Sequence, residues 1–147
     1  MSMTADQQPS ASRIRVLFIC IGNSCRSPMA ESIAIRDASD IFEVASAGIS
    51  PLGAVQKATL QTLQNNGYPI EDLTSKSIQT AVWTAADLVV NMSGYPKQST
   101  FPSSDWHKIH DWEVKDPYGG APEVYQSTFE FIRTRIEALA DRYRAKV

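Results

Sequence analysis

The chain first turns apolar at Ile14 to Ile19, a short run with Arg15 as its one charged residue, which reads as a buried strand. Met1 to Ser12 before it is polar, has no signal-peptide core, and is expected to form a disordered tail ahead of a domain at residues 13–147. From Ser27 to Ala38 the period changes to that of a helix, with Met29, Ala30, Ile33 and Ala34 on one face. Phe42 to Ala47 is a second strand, and Ile49 to Gly53, with Pro51, is a loop. Ala54 to Asn66 reads as a helix with Val55, Thr59 and Leu63 at spacing four and Gly67 as its stop. Tyr68 to Ser77 is an extended connector, Ser77 to Trp83 a short helix and Leu88 to Met92 a third strand. Ser93 to Ser104 is rich in turn formers with one helical turn, and Lys108 to Trp112 is a fourth strand. After a loop at Glu113 to Gly120, Pro122 opens a long helix striped by Tyr125, Phe129, Ile132, Ile136, Leu139 and Tyr143.

Strands alternating with helices predict an α/β class: a single-domain, three-layer fold with a central four-stranded parallel sheet between helices. Ligands of such sheets bind at the carboxyl ends of the strands. Cys20, Ser46 and Asp116 fall at that end of the first, second and fourth strands.

The turn after the first strand carries the most chemistry. It reads Cys20-Ile21-Gly22-Asn23-Ser24-Cys25-Arg26-Ser27. Gly22 and Asn23 tolerate unusual backbone angles, while Ser27 suits a helix N-cap and Pro28 the first helical position. A strand, a tight turn and a helix N-terminus aim backbone N–H groups at one point, which makes an anion site. Arg26 adds a planar fork that matches two phosphate oxygens. A thiol set among N–H groups and a guanidinium favours its thiolate, the nucleophilic form. The loop therefore carries the equipment for phosphoryl transfer through a cysteinyl-phosphate intermediate, with residues 20–27 as the phosphate-binding set. A lone Cys at a strand end, by contrast, would read as a small buried hydrophobe.

Composition narrows the class. At 147 residues with 43% apolar residues and a net charge of −2, the chain is one globular domain without a broad basic face for nucleic acid. No apolar run approaches a membrane span. Its two cysteines share one loop, unlike a secreted disulfide framework, and point to a reducing cytoplasm. His107 and His110 have no cysteine or dense acidic cluster near them in sequence and read as surface or strand-edge residues, so no metal or other cofactor is expected. Trp83, Trp106 and Trp112 read as core or cleft-rim residues, and the charges from Arg133 to Arg144 as the solvated face of the last helix.

The pattern Cys-x-Gly-Asn-x-Cys-Arg-Ser-Pro-x-Ala-Glu at Cys20 to Glu31 resembles the signature of the low-molecular-weight protein tyrosine phosphatases, whose scaffold the thioredoxin-coupled arsenate reductases share. The likeness extends to Ser46-Ala47-Gly48, to Asp87 through Met92 and to Asp116-Pro117-Tyr118-Gly119. It implies Cys20 as nucleophile, Arg26 as phosphoryl ligand, Ser27 as hydrogen-bond partner of the thiolate and Asp116 as general acid. Asn23, Ser27 and Ser46 are the candidate loop supports, and Leu52 and Tyr118 the candidate walls of a substrate cleft. The chain departs from many relatives where Gly119 follows Tyr118, where Pro51 and Leu52 replace an aromatic, at Asp72-Leu73-Thr74-Ser75-Lys76, and at Asn91-Met92-Ser93. These positions bear on cleft walls and loop support, not on nucleophile, arginine or acid.

The implied activity is metal-independent phosphomonoester hydrolysis, foremost of protein phosphotyrosine or an aryl phosphate, with phosphate-like anions as inhibitors. An arsenate reductase is the alternative, yet its relatives relay oxidation to further cysteines and this chain has only Cys20 and Cys25. A non-catalytic phosphoprotein-binding module would need neither Cys20 nor Asp116. Cys25 is the candidate redox partner of Cys20, since thiols five residues apart on a tight turn can come within disulfide reach; packing under the loop is its other reading.

Overall fold

The computed structural model describes residues 13–146, so the expectation for the tail falls outside it. Strands β1 (Ile14–Cys20), β2 (Phe42–Gly48), β3 (Leu88–Asn91) and β4 (Ile109–Asp111) form one sheet in the order β2-β1-β3-β4. Every pairing is parallel, with Cys20 opposite Gly48 at the carboxyl end. Helices α1 (Arg26–Asp37), α2 (Lys57–Asn65), α3 (Thr80–Ala85), α4 (Lys97–Thr100) and α5 (Pro122–Arg144) supply the crossovers and the last layer. A 3-10 helix at Ser103–Lys108, not anticipated from the turn-rich sequence, precedes β4.

Side chains of β1 alternate between two apolar clusters, which is why the run lacks polar positions. Val16 and Phe18 pack with Met29, Ile33, Phe129 and Ile132 of α1 and α5, while Leu17 and Ile19 face Ala86, Trp83, Phe101 and Trp106 on the other side. Each large side chain so buried contributes about 1.5–3 kcal/mol. The α5 stripe is buried from Tyr125 to Leu139, with Tyr143 half-buried against Phe42. Trp83 and Trp106 pack on the second face and Trp112 is buried in the first, as core residues. Among the described residues no helix is long and apolar enough to cross a membrane.

Three helix starts differ from expectation, each for a local reason. α1 starts at Arg26 with Cys25 at the cap position and no side-chain cap, so Ser27 and Pro28 sit inside the first turn. Ser27 is drawn inward to other partners, and Pro28 stays harmless because the first four helical N–H groups lack intrahelical acceptors anyway. α2 starts three residues late, at Lys57 rather than Ala54, because the segment before it is held against the cysteine loop. Ile49, Ser50, Leu52 and Gln56 donate backbone N–H groups to the carbonyls of Cys20, Ile21, Gly22 and Ser24 at 2.8–3.1 Å. α3 begins at Thr80 because Ser77 is extended, bridging to Gly48.

Candidate active site

The loop from Cys20 to Arg26 links the central strand to the N-terminus of α1, at the carboxyl edge of the sheet. Its backbone needs one left-handed residue, and Asn23 supplies it at φ 47°. The Asn23 side chain then fixes the loop from inside. Its amide nitrogen donates to Ser27 Oγ at 2.7 Å and Ser46 Oγ at 3.0 Å, and its Oδ1 accepts from the Lys76 N–H at 2.9 Å. The backbone donor from Lys76 fixes which end of the amide is oxygen. Ser46 in turn donates to Glu31 Oε1 at 2.5 Å. Ser27 Oγ, already accepting from Asn23, lies 3.0 Å from Cys20 Sγ, so its own hydroxyl proton is available to the sulfur. A chain of polar groups thus runs from Glu31 through Ser46, Asn23 and Ser27 to the cysteine, all but Glu31 buried.

Arg26 is buried, which is costly for a charge without partners. Its Nη1 donates to the Val114 carbonyl at 3.2 Å, and its Nη2 is 3.5 Å from Asp116 Oδ2. Nε is buried and has no hydrogen-bond partner. An orphan guanidinium N–H beside a helix N-terminus is the donor set for an oxyanion. Asp116 is exposed at the loop tip, its Oδ1 accepting from the Tyr118 N–H at 3.1 Å, a turn that keeps the carboxylate over the arginine. Tyr118 and Leu52 are 59% and 56% exposed large side chains, and Leu52 lies against Gly22 of the loop. The geometry therefore brings Cys20, Asn23, Arg26, Ser27, Ser46 and Asp116 together, with Leu52 and Tyr118 at its rim. Ser24 and Cys25 are buried within the loop, and Ile21 and Gly22 are half-buried.

Several supports escaped the sequence reading. Glu31 stood in the signature without a role. Ser75 Oγ donates to the Gly22 carbonyl at 2.9 Å and Thr59 Oγ1 to the Ser24 carbonyl at 2.9 Å. Ser75 lies in a segment noted only for its departures. Gly48 has no side chain because a Cβ there would come within 2.7 Å of the Ile21 carbonyl. Tyr125, read as core, also brings its hydroxyl 3.7 Å from Cys25 Sγ. Burial, and secondarily the Cys25 contact, pushes the Tyr125 phenol up to about 12.

Comparison with known proteins places this arrangement. Residues 15–147 match the family described as low molecular weight phosphotyrosine protein phosphatase. The chain is 31% identical over 144 residues to the low molecular weight protein-tyrosine-phosphatase PtpB of Staphylococcus epidermidis, spanning 90% of this chain and 99% of that one. It is 34% identical over 128 residues to arsenate reductase 1 of Bacillus cereus, spanning 86% and 93%. Its fold superposes on the YwlE arginine phosphatase of Geobacillus stearothermophilus with a TM-score of 0.81 at 27% identity, covering 90% of this chain and 94% of that one. Matched along nearly its whole length, the chain belongs to the low molecular weight phosphotyrosine protein phosphatase family and is a cysteine-based phosphatase.

Proposed function

We propose that the protein hydrolyses phosphotyrosine in protein substrates in the cytoplasm, with Cys20 as nucleophile, Arg26 as phosphoryl ligand and Asp116 as general acid. The observation that carries this reading is the buried Arg26 at the end of the loop that Cys20 opens, its Nε unpartnered and a carboxylate 3.5 Å from its guanidinium. Cys20 Sγ attacks phosphorus while the N–H groups of residues 21–26 and Arg26 hold the equatorial oxygens. The P–O bond to the leaving group breaks as Asp116 protonates that oxygen. Asp116 then takes a proton from the water that attacks the cysteinyl phosphate, releasing inorganic phosphate and the thiolate. Ser27 steadies the thiolate in both free states. Leu52 and Tyr118 suit the two faces of an aromatic ring entering the cleft. Phosphate-like anions should inhibit by filling the same loop.

The arginine phosphatase similarity favours a second substrate, phosphoarginine, on the same machinery. Phosphate release from matched phosphotyrosine and phosphoarginine peptides, without metal and against a Cys20→Ser control, tests both. A kcat/KM ratio favouring phosphotyrosine is expected; the reverse ratio overturns the substrate, and turnover by Cys20→Ser overturns the nucleophile. Arsenate reduction is disfavoured because both cysteines lie in the loop and none is left for a relay.

Cys25 is proposed as the redox partner of Cys20. Both cysteines are free thiols, and Cys25 is buried under the loop between Ser24 and Tyr125. Peroxide would oxidise the Cys20 thiolate to a sulfenic acid with release of water; attack by Cys25 forms the disulfide and expels a second water. Reversible inactivation of the wild type by peroxide and thiol, with irreversible loss in Cys25→Ser, is the expected result. Full recovery of the oxidised variant would leave Cys25 a packing residue.

A further inference from the structure

A second concentration of chemistry lies on the flank where β4 meets α5. β4 is an edge strand. Lys97 covers part of that edge, its Nζ donating to the carbonyls of Trp106 at 3.1 Å and Ile109 at 2.9 Å. From α5, Arg135 lays its guanidinium 5.0 Å from the centre of the Trp112 ring. Arg142 follows two helical turns later on the same side and lines the same shallow groove. His110 sits among these cations: burial, then Lys97, then Arg142 hold its pKa below the ordinary value. His107 extends the lining. Asp111 is the one carboxylate in that lining, and its oxygens already accept from Asn91 Nδ2 at 2.9 Å and the Lys97 N–H at 3.1 Å. Among the described residues, the ion pairs of the chain include neither Lys97, Arg135 nor Arg142.

A chain with net charge −2 thus gathers three cations outside any described ion pair beside the half-buried Trp106, with the buried Trp112 beneath Arg135. Like charges held together repel, and a partner of opposite sign removes that cost. We propose that this groove docks an acidic, unphosphorylated segment of a partner protein. Its carboxylates meet Arg135, Arg142 and Lys97, and its apolar side chains lie on Trp106. A shallow groove beside a sheet edge suits an extended peptide better than a small enclosed anion. Nucleic acid would call for a longer basic stripe. The groove shares no residue with the cysteine loop, so the proposal stands whatever the phosphatase substrate is.

The probe is a fluorescein-labelled glutamate-rich peptide of about ten residues, long enough to span the groove at ~3.3 Å per residue. It is read by anisotropy against the full-length protein, beside a serine-glycine peptide of equal length. Binding of the acidic peptide alone is expected, weakening with added salt. An Arg135→Glu/Arg142→Glu variant should lose about tenfold or more in affinity, as charge reversal at an interface does. Its turnover of an aryl phosphate should be unchanged, which certifies the fold. If that variant is misfolded, Arg142→Gln alone should still weaken binding measurably. Inorganic phosphate at matched ionic strength, filling the cysteine loop, should not displace the peptide. No binding, equal binding by the charge-reversed protein, or displacement by phosphate would each overturn the proposal. Tighter binding of an oligothymidylate of equal charge would overturn it in favour of nucleic acid.

Discussion

At the scale of single residues, the candidates Cys20 and Arg26 stand out in the sequence because one turn carries both, whereas Asp116 is named through the family resemblance. Cys20 and Arg26 flank one turn, and the structure brings Asp116, from the loop after β4, to 3.5 Å from the Arg26 guanidinium. What was not legible is who holds whom, because those bonds cross long stretches of sequence. Asn23 reaches Ser46 and Lys76, and Ser75 returns to Gly22, links that no local spacing encodes. Two predictions belong here. Arg26→Lys should lower kcat/KM by about 100-fold or more, since an ammonium cannot make the fork–fork contact that an oxyanion ligand provides; steady-state kinetics on an aryl phosphate measures it. Asp116→Asn should slow esters of poor leaving groups strongly and those of good leaving groups little, because only the former need the proton. Equal slowing across a leaving-group series would give Asp116 a merely structural part.

At the scale of elements, periodicity found every strand and helix except the 3-10 helix, and it erred where an element's end answers to the loop. The Ala54 start of α2 was reasonable from composition, yet the segment from Ile49 to Gln56 spends its N–H groups on the loop's carbonyls and cannot coil. Ser27 was a good cap on local grounds, but its hydroxyl serves Cys20 instead, leaving the first turn of α1 open to an anion. The end of β2 shows the same coupling. An added methyl at Gly48 would sit 2.7 Å from the Ile21 carbonyl and 2.9 Å from the Asn23 N–H, both backbone atoms that cannot move without reshaping the loop. Gly48→Ala is therefore expected to cost about 1–3 kcal/mol in denaturant unfolding, the scale of overpacking, and to reduce turnover at saturating substrate. Unchanged stability and turnover would mean that the loop adjusts freely and that Asn23 does not lock it.

At the scale of the whole molecule, fold class and the meeting of strand ends at one mouth followed from alternation alone, because a parallel sheet with helical crossovers leaves few other topologies. The contact between α5 and the loop did not, since Tyr125 looks like any other member of an apolar stripe. Its phenol loses its proton at about 12 in the folded protein against 10 for the free group. Between those values the unfolded chain has released a proton that the folded chain keeps, so stability must fall as pH rises through that window. Tyr125→Phe should flatten this alkaline loss in urea titrations. Folding and anion binding are linked in the same way. The loop's donors are assembled only in the folded protein, because they come from the turn between β1 and α1 and from the Arg26 side chain held by Val114. A ligand that binds only the folded state adds RT ln(1 + [L]/Kd), about 2.7 kcal/mol at a hundredfold excess over Kd. For a domain of this size that corresponds to a rise in Tm of roughly 5–10 °C. Inorganic phosphate should produce that rise and chloride at matched ionic strength should not. Cys20→Ser should retain most of it, since the donors remain, whereas Arg26→Lys should lose most of it. A phosphate-induced shift of equal size in Arg26→Lys would mean that the anion binds elsewhere, and the orphan Nε would need another explanation.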